Sequence, residues 1–262
     1  MRLLFADYAN IILTRPSIIQ IDVDMLFDEF GPDRPDYRLF TLMHPDISGV
    51  NKLLFYWQYL TSFSLEAIKV KLQNNLNSLN RLDYSIEKGY WSRPNRDKMI
   101  DANCTNYFAK EDSFHANVIN RNAKLSHKQS QNLRKNLETI GEIKKLCQQH
   151  GVRVTFYLSP YHRAVLDTIN LTGYLEFLSK MVTISPVINF TYYSDQTMDS
   201  CNYYESSHYR SALAKETMHS VFSLGNGEKS FFGRRVSGGN LALEKKFLII
   251  NFGNNRFKRQ QD

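Results

Sequence analysis

The chain has 262 residues, 42% of them hydrophobic and 13% aromatic, enough to bury a sizeable core and too rich in apolar groups for a disordered protein. Its formal net charge is +7, but Lys and Arg are spread along the chain and crowd together only at Asn254–Gln261, so the balance reads as a generally basic surface rather than a dedicated nucleic-acid site. Three cysteines, Cys104, Cys147 and Cys201, with no Cys-x-x-Cys, exclude a disulfide framework or a zinc ribbon while leaving room for one pair.

No apolar run reaches the ~18 residues needed to span a bilayer. The opening segment, Met1–Pro16, is interrupted by Asp7 and lacks a small-residue cleavage site, so it does not read as a secretory signal. Leu3, Leu4, Tyr8, Ile11 and Ile12 recur at near-helical spacing until Arg15-Pro16 ends the pattern. The run Ser17–Phe27 is short and rich in β-branched residues, which predicts a buried strand of a parallel sheet over Ser17–Met25. Asp22 and Asp24 fall at its carboxyl end, where open α/β sheets place ligands.

Gly and two Pro make Phe30–Arg38 a loop. Leu65, Ile68, Leu72, Leu76 and Leu79 step by three and four, one face of a helix within residues 51–80. Residues 83–127 are polar and poorly patterned, and read as an insertion of loops and short helices. From Lys128 a strongly amphipathic helix is expected on Leu133, Leu137, Ile140, Leu146 and Cys147, stopping at His150-Gly151. Val152–Leu158 then reads as a strand, Tyr174–Val182 as a helix and Ser185–Tyr193 as a third strand.

The alternation predicts a single α/β domain over residues 1–262, with a parallel sheet and a C-terminal helical extension over residues 230–262. Three strands are countable, fewer than the five or so of a doubly wound domain.

Two stretches carry candidate chemistry. The first is Asn202–Met218, with Glu205-Ser206-Ser207-His208 at its centre, placed where a polar loop gives way to a helix. A histidine acting as general base needs a partner to fix its tautomer, and a carboxylate three residues earlier can reach the ring. The competing reading makes Ser206 or Ser207 a helix cap and His208 a first-turn residue. The second is Tyr157–Arg163, which sets Ser159 and His162 at the edge of the sheet. Ser159 is followed by Pro160 and is not in a Gly-x-Ser-x-Gly elbow, so a loop or capping role is favoured over that of a nucleophile, and His162 is a ligand contact or, by default, an ordinary surface histidine. Asp22 and Asp24 are further binding candidates. The sequence contains no phosphate loop, dinucleotide fingerprint or zinc-protease motif, and no cofactor or metal is expected.

In this order, a strand ending in Asp, an insertion, a helix, a strand ending in "SPYH", a strand and then "YYESSHYR", the chain resembles bacterial SGNH-hydrolase-like proteins, related in fold to alginate-acetylation and D-alanyl-transfer envelope proteins. Phe231–Lys246 is also similar to the C-terminal segment of those proteins.

The resemblance implies a three-layer α/β/α, flavodoxin-like fold and a serine esterase or acyltransferase chemistry, with His208 as base and Glu205 in the place usually held by Asp. It also implies that an Asn donor is replaced by acidic Asp22 and Asp24, which would repel an oxyanion. The nucleophile block of the family finds no counterpart in the chain and would precede Met1. The chain is therefore expected to be an N-terminally truncated product, to carry a wrongly chosen start or to be a degenerate pseudoenzyme, and to be inactive alone.

The expected partner is an acylated polysaccharide or related envelope glycan, in a periplasmic or inner-membrane-anchored setting, with membrane contact only through an anchor outside this chain. The alternative is a non-catalytic protein whose basic surface binds an anionic glycan or nucleic acid. Oligomeric state is not legible.

Overall fold

A computed structural model describes residues 18–22, 84–85, 90–91, 94–110 and 125–257. The expected helix at the start of the chain, the one within residues 51–80, and Asp24 lie outside the described residues. The chain divides into two compact units, residues 1–29 with 97–262 and residues 30–96. In the second unit, β2 (Tyr84–Ser85) and β3 (Tyr90–Trp91) form a short antiparallel ladder.

The larger part contains a helix–strand pair. Helix α3 runs from His127 to Gln149 and starts in a reciprocal capping box between Ser126 and Gln129. Leu133, Leu137, Ile140, Ile143 and Cys147 form its buried face, as helical spacing requires. Ile143 completes that stripe, whereas Leu146 is only half-buried. Gly151 then takes a φ of +67° and Val152 N donates to Cys147 O at 2.8 Å, a left-handed helix stop that suits glycine. The chain leaves this turn directly into β4 (Arg153–Leu158).

Strand β4 is one of two inner members of a four-stranded sheet of order β1-β4-β5-β8. It pairs in parallel with β1 (Ile18–Asp22), from Ile18↔Arg153 to Asp22↔Tyr157. On its other side it pairs in parallel with β5 (Val187–Asn189), which follows helix α5 (Leu171–Ile184). The fourth strand, β8 (Arg234–Val236), runs antiparallel to β5. The α/β class is thus as expected, but the sheet is mixed rather than parallel. The stretch from residue 230 contributes this edge strand before helix α8 (Leu241–Phe257) begins.

Side chains alternate across the strands, as a pleated sheet demands. Phe156, Leu158 and Val187 join the buried face of α3, helix α5 and Leu248 and Phe252 of α8 in one core. Tyr157 and Ile188 point the other way, into a second core with Leu213, Val221 and Leu224 of helix α7 (Ser211–Gly225). Cys147 is a buried, free thiol of the first core.

Burial pushes its ionisation up, which keeps it a packing residue.

Strand β8 is recruited by a buried polar chain as well as by its ladder. Tyr174 OH and Thr191 N both donate to Asn189 Oδ1, at 2.7 and 2.8 Å. Asn189 Nδ2 donates to Glu244 Oε1 at 3.3 Å, and Arg234 Nε donates to Glu244 Oε2 at 2.7 Å. Glu244 is 1% exposed, so its charge is tolerable only because it is paired and hydrogen-bonded. Arg234 also lies over the Phe247 ring at 3.9 Å.

Just before it, Gly233 has a φ of +83°, and a Cβ there would sit 2.4 Å from a Phe190 ring carbon. Only glycine fits this entry to the strand.

Candidate functional site

The stretch around His208 is a β-hairpin, not the start of a helix. Strand β6 (Tyr203–Glu205) and strand β7 (His208–Tyr209) pair antiparallel, with Glu205 opposite His208 and Ser206-Ser207 in the turn. Helix α7 starts only at Ser211, with Arg210 at its N-cap position and no side-chain cap bond. The capping role considered for Ser206 and Ser207 is therefore not what these residues do. Successive tyrosines explain the strand. Tyr203 packs with the α7 core, whereas Tyr204 turns to the opposite side, against Ile100 and Tyr107.

Pairing across the hairpin brings Glu205 and His208 together. Nδ1 of His208 lies 3.2 Å from Glu205 Oε1 and 3.1 Å from Ser207 Oγ. The His208 side chain is 62% exposed and that of Glu205 28%. With the proton on Nδ1, the carboxylate holds the ring and leaves the Nε2 lone pair outside the pair. That is the arrangement of an oriented general base.

The Ser159–His162 segment abuts this hairpin, so the two motifs singled out in the sequence do meet. Tyr203 OH donates to Pro160 O at 2.9 Å, and His162 N donates to Ser206 O at 3.1 Å. His162 heads helix α4 (Arg163–Leu166), where its Nδ1 accepts from Ala164 N at 3.1 Å. The proton therefore resides on Nε2, which donates to Ser200 Oγ at 2.8 Å. Burial, then the charge of Arg163, pull this imidazole down to about 3. His162–Ser200 is thus a Ser–His pair with the wrong tautomer and too weak a base to activate the hydroxyl. Its ring packs edge-on against Tyr203, and it is buried, not the surface histidine that is the default for such a residue.

Ser159 is likewise buried, and its carbonyl accepts from Thr191 Oγ1 at 2.9 Å. The binding candidates Ser159 and His162 are therefore both buried, in the segment that abuts the hairpin. Asp22 ends β1 opposite Tyr157; Asp24 is outside the described residues. Among the described residues, no group of three or more His, Cys, Asp or Glu side chains could hold a metal ion. No helix of the described residues is long and apolar enough to cross a membrane.

The residues that sequence reasoning missed lie in the poorly patterned segment. Helix α1 (Pro94–Ala102) and helix α2 (Cys104–Phe108) bring Asp97, Asp101 and Cys104 to the hairpin. Arg210 Nε donates to Asp97 Oδ1 and its second terminal nitrogen to Asp101 Oδ1, both at 2.8 Å. Tyr204 OH donates to the Asp97 carboxylate, 2.9 and 3.0 Å from its two oxygens. Burial, then the Asp97 hydrogen bond, push this phenol up to about 12. Cys104 and Cys201 form a disulfide across 97 residues of sequence. The available signal was the Asp97/Asp101 spacing, which puts two carboxylates on one helix face.

Comparison with family models, with curated proteins and with solved structures returns no match.

Proposed function

We propose that Glu205 and His208 are the orienting acid and the general base of a serine-type acyl-transfer site, on an SGNH-like, flavodoxin-like three-layer fold. The observation that supports this is the 3.2 Å approach of His208 Nδ1 to Glu205 Oε1 in an accessible hairpin. In this reading His208 Nε2 takes the proton of an attacking hydroxyl and returns it to the leaving alcohol, while Glu205 steadies the imidazolium. The substrate class is an acyl ester of an envelope glycan, as the sequence resemblance implies. The described hydrogen bonds of His208 run through Nδ1, and none of them identifies the hydroxyl that would attack.

The test uses p-nitrophenyl acetate, an activated ester that an imidazole can attack by itself, so that the pair is read with or without a serine. His208→Ala is expected to lower the rate of ester cleavage well below that of the wild type, to the background set by the other histidines and lysines. Glu205→Gln is expected to slow it about tenfold or more. Intact mass after a short incubation reports whether an acetyl group is held on a hydroxyl. Equal rates in the wild type and both variants reject the reading.

A further inference from the structure

Four links join residues 97–107 to the hairpin that carries Glu205 and His208 and to its two flanking residues Cys201 and Arg210. They are the Cys104–Cys201 disulfide, the Arg210 bonds to Asp97 and Asp101, the Tyr204 hydroxyl on Asp97, and Tyr107 OH donating to Tyr204 O at 2.8 Å. Arg210 also donates to Cys201 O at 3.1 Å, which closes the ion-pair cluster onto the cross-linked residue.

The hairpin they hold has strands of only three and two residues. An isolated hairpin of this kind is marginal in water. Contacts from outside its own ladder therefore add to what holds the hairpin.

We propose that Arg210, Asp97 and the Cys104–Cys201 cross-link are positioning elements that set the Glu205–His208 pair, and that reduction of the cross-link disengages it. The proposal rests on the reading that Glu205 orients His208. Reduction is a thiol–disulfide exchange with a dithiol: the Cys104–Cys201 bond breaks, each sulfur gains an electron and a proton, and the dithiol closes to its own disulfide. The residues keep their chain positions, but the turn that leads into the hairpin loses its disulfide tie to α2. The pair would then be assembled in an oxidising compartment and loosened by thiol reductants.

Imidazole tautomers, read from long-range proton–nitrogen correlation spectra of the intact protein at neutral pH, report the pair directly. In the wild type His208 is expected in the Nδ1–H form, and Glu205→Gln is expected to return it toward the Nε2–H form that free imidazole favours. Arg210→Gln, the Cys104→Ser/Cys201→Ser double variant and dithiothreitol treatment are each expected to produce at least half of that shift. His162, fixed by Ala164 N and Ser200, is expected to keep its Nε2–H form throughout and serves as the control for a fold that is merely loosened. A shift in Glu205→Gln with none in the clamp variants overturns the clamp alone. A His162 change accompanying His208 also overturns it, since the contacts would then support the fold at large. No shift in Glu205→Gln removes the pair itself and overturns both this proposal and the functional reading.

Discussion

His162 and Ser200 are joined through Nε2 and Oγ at 2.8 Å, while the other ring nitrogen accepts the Ala164 backbone N–H. A ring so placed must stay neutral to remain in its slot. Its ionisation is drawn from the ordinary 6.5 down to about 3, first by burial and then by Arg163. The unfolded chain therefore takes up a proton below pH 6.5 that the folded chain refuses. Stability is complete above pH 6.5 and falls as pH drops toward about 3, by up to about 1.4 kcal/mol per pH unit from this group. Urea midpoints measured from neutral pH downward should fall more steeply in the wild type than in His162→Asn, which retains a capping oxygen but cannot titrate.

Removing the cross-link should cost stability beyond its effect on the hairpin. The chain between Cys104 and Cys201 closes a loop 97 residues long, and loss of such a loop frees the unfolded state by about 2–4 kcal/mol. The Cys104→Ser/Cys201→Ser variant should show this in urea unfolding under non-reducing conditions. Under reducing conditions the wild type should converge on it.

The pair at Arg234 and Glu244 should behave asymmetrically. Glu244 is 1% exposed and the Arg234 side chain 39%, so Arg234→Met strands a buried carboxylate. The expected loss is about 2–4 kcal/mol. Adding Glu244→Leu to Arg234→Met should recover part of it, because no uncompensated charge is left. A double-mutant cycle by chemical denaturation checks this, and simple additivity would count against it.

Gly233→Ala should destabilise by about 1–3 kcal/mol, since it meets both an unfavourable backbone region and the Phe190 ring. Gly238→Ala, where a Cβ would meet nothing within 4 Å, is the matched control. Thermal unfolding distinguishes the two.

Much of this architecture was legible where local chemistry and tertiary packing agree. The stripe on α3, its glycine stop and the strands at β4 and β5 follow from periodicity alone, because each element buries one face of its own sequence pattern. Strand β8 was hidden, being three residues long with Arg234 and Arg235 in it. Its place in the sheet is set by Glu244, ten residues onward, and by Asn189, neither of which a local window can connect to it. At the candidate site, the Glu205–His208 pairing was readable from spacing, but the hairpin that achieves it was not. Tyr203 and Tyr204 pack in opposite directions against residues remote in sequence, and Arg210 finds its carboxylates more than a hundred positions earlier.

The Cys104–Cys201 bond has a consequence for topology. It turns residues 104–201 into a covalent ring that contains β4 and β5 together with α3 and α5, while β1 and β8 belong to the two tails that leave it. The sheet is therefore half ring and half tail, with a ring strand and a tail strand bonded at β1–β4 and again at β5–β8. A single backbone cut anywhere inside the ring leaves one molecule of unchanged mass apart from an added water, and only a reductant releases two fragments. A cut in either tail frees a piece at once. The order in which a protease's fragments separate, before and after reduction, thus maps where the chain opens.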